Sequence, residues 1–190
     1  MKFIKTPVHG LYVIELEKRG DDRGFFARVF CRDEFAQHGL TTEFVQVNNS
    51  LTAQKGTLRG IHYQLAPKQE TKLVRCVRGA FWDVALDLRP ESPTFGKWYG
   101  TELTAENRRM LYVPKGFGHA FITLAEDTET FYLVDEFYAP ELERGIRWND
   151  ERFKIDWPIE PAVISQKDDT WHDFDPAYHL AAAVGEDARP

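Results

Sequence analysis

The segment Thr57-Leu-Arg-Gly-Ile-His-Tyr-Gln64 sets an imidazole, His62, three residues after a guanidinium, Arg59. A histidine exchanges protons near neutral pH, and a planar guanidinium grips phosphate oxygens. In an extended strand, positions i and i+3 point to opposite faces, so the two share a site only where the chain bends between them. Gly60 lies between them and supplies the place to bend. An acid/base group beside an anion clamp suits proton movement on a substrate that carries phosphate. The same residues would equally serve as a core histidine tied to a carbonyl and an arginine in a surface ion pair. A second histidine, His119, closes the Pro/Gly turn Pro114-Lys-Gly-Phe-Gly-His119.

The elements that must hold these side chains read as strands. In Phe81–Leu88 the residues Trp82, Val84, Leu86 and Leu88 share one face, and Asp83 and Asp87 lie on the other. Period-2 patterning also predicts strands over Leu11–Glu17, Phe25–Cys31, Phe44–Asn48, Lys72–Arg78, Lys97–Leu103, Arg109–Val113, Ala120–Leu124 and Thr130–Glu136. Turn residues separate them, among them Gly79, Arg89-Pro90, Gly96 and Pro114-Lys-Gly116. Arg32–Gly39 is expected to form one short helix and Ala105–Arg108 a single turn. Strands this short and regular imply an all-β jelly-roll barrel with a few short helices. No repeat or low-complexity linker divides the chain, so residues 1–190 are expected to form one domain, with Leu180–Pro190 fraying.

Composition narrows the function further. The formal charge of -6 argues against general binding to nucleic acid or anionic lipid. The two cysteines, Cys31 and Cys76, match no zinc spacing or disulfide framework, which suits a reducing compartment. The N-terminus lacks the long apolar run of a signal peptide, and no stretch reads as a membrane span, so a cytoplasmic location is expected.

The Pro-x-Gly-x-x-His turn resembles that of the cupin barrels, where the histidine points into the barrel mouth. The other cupin element usually carries two histidines two residues apart, and here those positions read His62 and Gln64. One metal ligand is therefore absent, although His62, His119 and Glu70 would offer three. Further motifs narrow the resemblance: Asp22-Arg-Gly-Phe-Phe26, Gln46-Val-Asn-Asn-Ser50, Lys72-Leu-Val-Arg75, Tyr132 six residues before Tyr138, Gly145-Ile-Arg-Trp148 and Ser165-Gln-Lys-Asp168. Taken in this order over about residues 1–170, they make the chain similar to the dTDP-4-dehydrorhamnose 3,5-epimerases. These are metal-free cupins that invert carbons beside the 4-keto group of a nucleotide sugar.

That resemblance implies roles. Inversion beside a ketone needs a base on one face, an acid on the other and a positive group near the enolate oxygen. By resemblance His62 is the base, Asp168 orients its imidazole, Tyr132 is the opposing acid and Lys72 stabilises the enolate. Arg59 and Arg23 would grip the diphosphate, while His119, Gln46 and Asn48 would line the sugar and ribose pocket. Phe26 would lie against the nucleotide. No metal or redox cofactor is implied. The segment Gly24–Phe30 would cross to a partner subunit, making a homodimer whose sites are completed across the interface. The product would enter deoxysugar synthesis for surface polysaccharide or a secondary metabolite.

Two positions depart from the family pattern. The family reads Arg-Gly-Phe-Phe-x-Glu, with the glutamate accepting from thymine, and this chain places Arg28 there. An arginine only donates, so Arg28 at the base edge predicts a CDP- or GDP-linked substrate. After Tyr132 the chain reads Leu133-Val-Asp135 where the family has Lys and Thr, which leaves open inversion at C3, at C5 or at both. The rival readings are a single-carbon epimerase, a metal-dependent cupin enzyme and a non-catalytic sugar-nucleotide sensor.

Overall fold

The computed structural model describes residues 1–180, so the fraying expected beyond Leu180 lies outside the described residues. The strands, in chain order, are β1 (Lys2–Lys5), β2 (Tyr12–Glu15), β3 (Arg19–Asp21), β4 (Gly24–Phe26), β5 (Gln46–Thr52), β6 (Thr57–Gln64) and β7 (Lys72–Arg78). They continue as β8 (Ala80–Asp87), β9 (Trp98–Thr104), β10 (Met110–Val113), β11 (Phe117–Thr123), β12 (Thr128–Val134), β13 (Glu143–Gly145) and β14 (Val163–Ile164). Helices α1 (Arg32–Gln37), α2 (Gln166–Asp169) and α3 (Pro176–His179) are short. The main chain builds a cupin-type jelly roll of two sheets, ordered β1-β2-β10-β7-β12-β5 and β13-β6-β11-β8-β9.

Three apolar layers hold the sheets. Between them, Val74, Cys76, Phe81, Ala85, Leu103, Leu111 and Phe121 fill the barrel interior. On the outer face of the second sheet, Ile61, Tyr63, Leu86 and Leu88 pack against Ile146, Phe153 and Phe174 of the C-terminal segment. On the first sheet's outer face, Phe35 of α1 covers Ile14, Leu73, Met110 and Tyr112. The alternation in β8 therefore holds, but both of its faces are covered. Asp83 and Asp87 point inward and are fully buried, because the C-terminal segment takes the apolar outer face.

Other boundaries differ from the sequence expectation for packing reasons. Of Phe25–Cys31, only the Gly24–Phe26 end is strand, in the small β3–β4 hairpin. Phe30 turns away to meet Phe35 and Phe44, with ring centroids at 4.8 and 5.3 Å. Phe44 is thus part of the α1 layer, and β5 starts at Gln46 and runs on to Thr52. The strands β1, β3, β13 and β14 had no expectation: they are four residues or fewer and are fixed by pairing partners rather than by their own pattern.

Candidate active site

Strand β6 bends where the sequence required. Gly60 adopts φ +122°, a Cβ there would sit 2.6 Å from the His119 carbonyl oxygen, and the β6–β11 register shifts between His119 and Phe121. Glycine alone fits this crossing without strain. The step brings Arg59 and His62 to one cavity of about 500 Å³, which Lys72, His119, Tyr132 and Asp168 also line. A second compartment of about 350 Å³ adjoins it, lined by Gln46, Asn48, Glu70, Tyr138 and Glu143. His62, Lys72 and Tyr132 border both compartments. His62 and His119 face one another in register from β6 and β11, whereas Lys72 and Tyr132 come from the opposite sheet.

Asp168 is not the solvated loop residue that its charged neighbours suggest. It is 3% exposed, on α2, and its Oδ1 lies 2.6 Å from His62 Nε2. The Gly60 N–H donates to its Oδ2 at 3.4 Å, and its own N–H donates to the Ser165 hydroxyl at 3.1 Å. Burial opposes the carboxylate's charge, but the His62 hydrogen bond and charge outweigh it and hold the Asp168 pKa below its ordinary value. With Nε2 committed to this carboxylate, Nδ1 is the ring nitrogen left to take a proton.

A second imidazole–carboxylate pair lies deeper. His119 Nε2 is 2.7 Å from Asp83 Oδ1, and Asp83 is fully buried, with Oδ2 unpartnered among the described residues. Burial pushes the Asp83 carboxyl pKa upward, against the opposing pull of His119 and Lys72. Sequence reasoning had no role for Asp83, and the available signal was a carboxylate inside an otherwise apolar run. At the mouth, Lys167 Nζ is 2.6 Å from Glu143, which also accepts from the Tyr138 hydroxyl at 2.9 Å. Burial works against the Glu143 charge, but these two donors keep its pKa lowered.

Three expected ligands of the nucleotide stay away from the cavity of their own chain. Arg23 is exposed at the tip of the β3–β4 hairpin and pairs with Asp21; Phe26 of the same hairpin is 67% exposed. Arg28 reaches back to Glu34 of α1 at 3.5 Å, while Glu43 takes Arg32. The prospective metal ligands already have protein partners. His62 and His119 each bind a carboxylate, and Glu70 lies 2.7 Å from Lys72 Nζ. Gln64 spends its amide on Lys68, Phe137 and Ala139 backbone. Among the described residues, no three His, Cys, Asp or Glu side chains group as metal ligands would.

The chain is similar to known proteins along most of its length. The sequence profile of the dTDP-4-dehydrorhamnose 3,5-epimerases matches residues 5–175. The dTDP-4-dehydrorhamnose 3,5-epimerase of Shigella flexneri is 46% identical over 169 residues, covering 88% of this chain and 93% of that one. The crystal structure of the Elizabethkingia anophelis enzyme of that name superposes with a TM-score of 0.89 at 43% identity, over 92% of this chain and 96% of that one. A Legionella pneumophila dTDP-6-deoxy-D-glucose-3,5-epimerase, solved in complex with dTDP-4-keto-L-rhamnose, superposes with a TM-score of 0.87 at 39% identity. That match covers 95% of this chain and 97% of the other.

Proposed function

The chain belongs to the dTDP-4-dehydrorhamnose 3,5-epimerase family, and from that premise we propose an isomerase that inverts C3, C5 or both of a nucleotide-linked 4-keto-6-deoxyhexose in deoxysugar biosynthesis. The observation that carries the site assignment is the His62–Asp168 pair at 2.6 Å, facing Tyr132 and Lys72 across one cavity. His62 Nδ1 takes the proton beside the ketone, and the electron pair moves onto the carbonyl oxygen as an enolate. Asp168 holds the ring and stabilises the imidazolium that forms. The Lys72 ammonium stabilises the enolate oxygen. Tyr132, from the opposing sheet, returns a proton to the other face of the same carbon, and solvent restores its hydroxyl. Arg59 at the cavity wall clamps the diphosphate, and His119, Gln46 and Asn48 line the sugar and ribose path.

Within this reading the carrier is thymidine diphosphate. The relatives named for dTDP sugars favour this carrier over the CDP or GDP preference that the donor chemistry of Arg28 suggests. The assembly is a homodimer in which Arg23 and Phe26 reach the partner's cavity. Support comes from the exposed hairpin residues Phe25 and Phe26 and from the uncovered Val47, Leu51 and Val77. The location is the cytoplasm, in keeping with two free cysteines. No described helix is long and apolar enough to cross a membrane.

The test is incubation with dTDP-, CDP- and GDP-linked 4-keto-6-deoxyhexoses in deuterated water. Deuterium should enter at the inverted carbon, fastest with the dTDP sugar, and activity should survive dialysis against a chelator. Absence of exchange with every carrier would reject the epimerase, and dependence on a stoichiometric metal would favour the metal-dependent cupin. Faster turnover and tighter calorimetric binding with CDP or GDP would return Arg28 to the base edge.

A further inference from the structure

Lys72 needs its charge at one point in space, yet a lysine stem is flexible and loses rotamer entropy when it is held. Glu70 lies two residues earlier, with its carboxylate 2.7 Å from Lys72 Nζ. Both side chains are mostly buried, at 12% and 14% exposure, and both line the second compartment. The backbone between them is pinned. The Thr71 N–H donates to Asp135 Oδ1 at 2.6 Å, and the Thr71 carbonyl accepts from the Asp135 N–H at 3.3 Å. Glu70 and Lys72, on either side of Thr71, both reach the same compartment. The ammonium so held lies 6.0 Å from the centre of the Tyr132 ring, with Asp83 acting on it from the barrel interior.

We infer that Glu70 is a positioning residue for the epimerisation, acting through Lys72 and not on the substrate. The inference rests on the epimerase reading and on Lys72 serving the enolate. Without Glu70, the ammonium is free to swing toward Asp83 or the cavity mouth, and the enolate oxygen loses a donor set in advance. A misplacement of about 1 Å at a reacting centre costs on the order of 10²-fold in rate. Asp135, one of the departures from the family pattern, acquires a structural purpose here, since it fixes the backbone that aims both side chains.

The experiment is a double-mutant cycle on the full chain with the carrier sugar that the unmodified protein turns over. If Glu70 acts through Lys72 alone, Glu70→Ala should lower kcat by between about tenfold and 10²-fold with KM within about twofold. Glu70→Gln keeps an oxygen acceptor at the same reach and should recover part of that loss. In a Lys72→Met background, Glu70→Ala should change kcat by less than about twofold, since its only route of action is gone. Equal losses in both backgrounds would overturn the inference, as would a raised KM at unchanged kcat or a Glu70→Gln variant no better than Ala. Wild-type inactivity on every carrier would instead reject the epimerase reading, a separate outcome from additivity in the cycle.

Discussion

At the scale of single residues, the proposed chemistry draws on both walls of the cavity. His62→Asn should leave nucleotide binding in place and slow deuterium exchange by about 10²–10⁴-fold, read by mass spectrometry of the recovered sugar. Asp168→Asn should do similar but smaller damage, since it removes orientation and not the base. Tyr132→Phe removes one hydroxyl, so exchange should persist while inversion fails; parallel loss of both would make Tyr132 a positioning group. The Asp168 carboxyl also has a pH signature. Its folded pKa is lowered, so its stabilising contribution is fully present above the ordinary carboxylate range, about pH 4, and is lost as pH falls through the folded value. Thermal melts taken down to about pH 3 should show the wild type losing its margin over Asp168→Asn. His62, Arg59, Lys72 and Tyr132, singled out in the sequence by type and motif, line one cavity. Asp83 was not legible, because its partner His119 lies 36 residues away and only strand pairing brings the two together.

At the scale of elements, the dyad depends on how α2 is docked. Strand β13 pairs with β6 so that Gly145 faces His62, and the indole of Trp171 lies where a Gly145 Cβ would have to be. Trp171 follows α2 by two residues. Gly145→Ala should therefore push Trp171 outward and draw Asp168 away from the imidazole. Overpacking of this kind destabilises by about 1–3 kcal/mol, so a lower Tm should accompany a fall in kcat. A fall in Tm at unchanged kcat would show that α2 holds its place without this contact. The long strands β7, β8 and β12 were legible from their period-2 patterning, and β6 as a strand bent at Gly60. The segments β13, β14 and α2 were not, since two to four residues hold too little pattern and take their geometry from β6. The reading of Phe25–Cys31 as one strand failed for a related reason: alternation cannot tell an aromatic side chain in a sheet from one packed on a helix.

At the scale of the whole molecule, the described chain leaves Arg23 and Phe26 away from their own cavity, and the proposed homodimer would give them a destination. Mixing Arg23→Ala chains with His62→Asn chains should then restore activity through hybrids that hold one intact site. No recovery after demonstrated subunit exchange would refute sites shared between subunits. The barrel architecture itself was legible from the regular spacing of strands and turns, whereas its two covers were not, since they are made by segments distant in sequence. The span between His62 and Asp168 has a temporal meaning. The two are 106 residues apart, and the carboxylate arrives after every strand through β12 and only beside the late strand β14. Contacts of such long range close slowly because the loop entropy must be lost first. Pairing of β2 with β10 spans nearly as much chain, 96 residues from Ile14 to Met110, so the barrel and the dyad wait on closures of similar cost. On refolding, β-structure and catalysis should therefore return together, and activity that trails the circular-dichroism signal would show that α2 docks last.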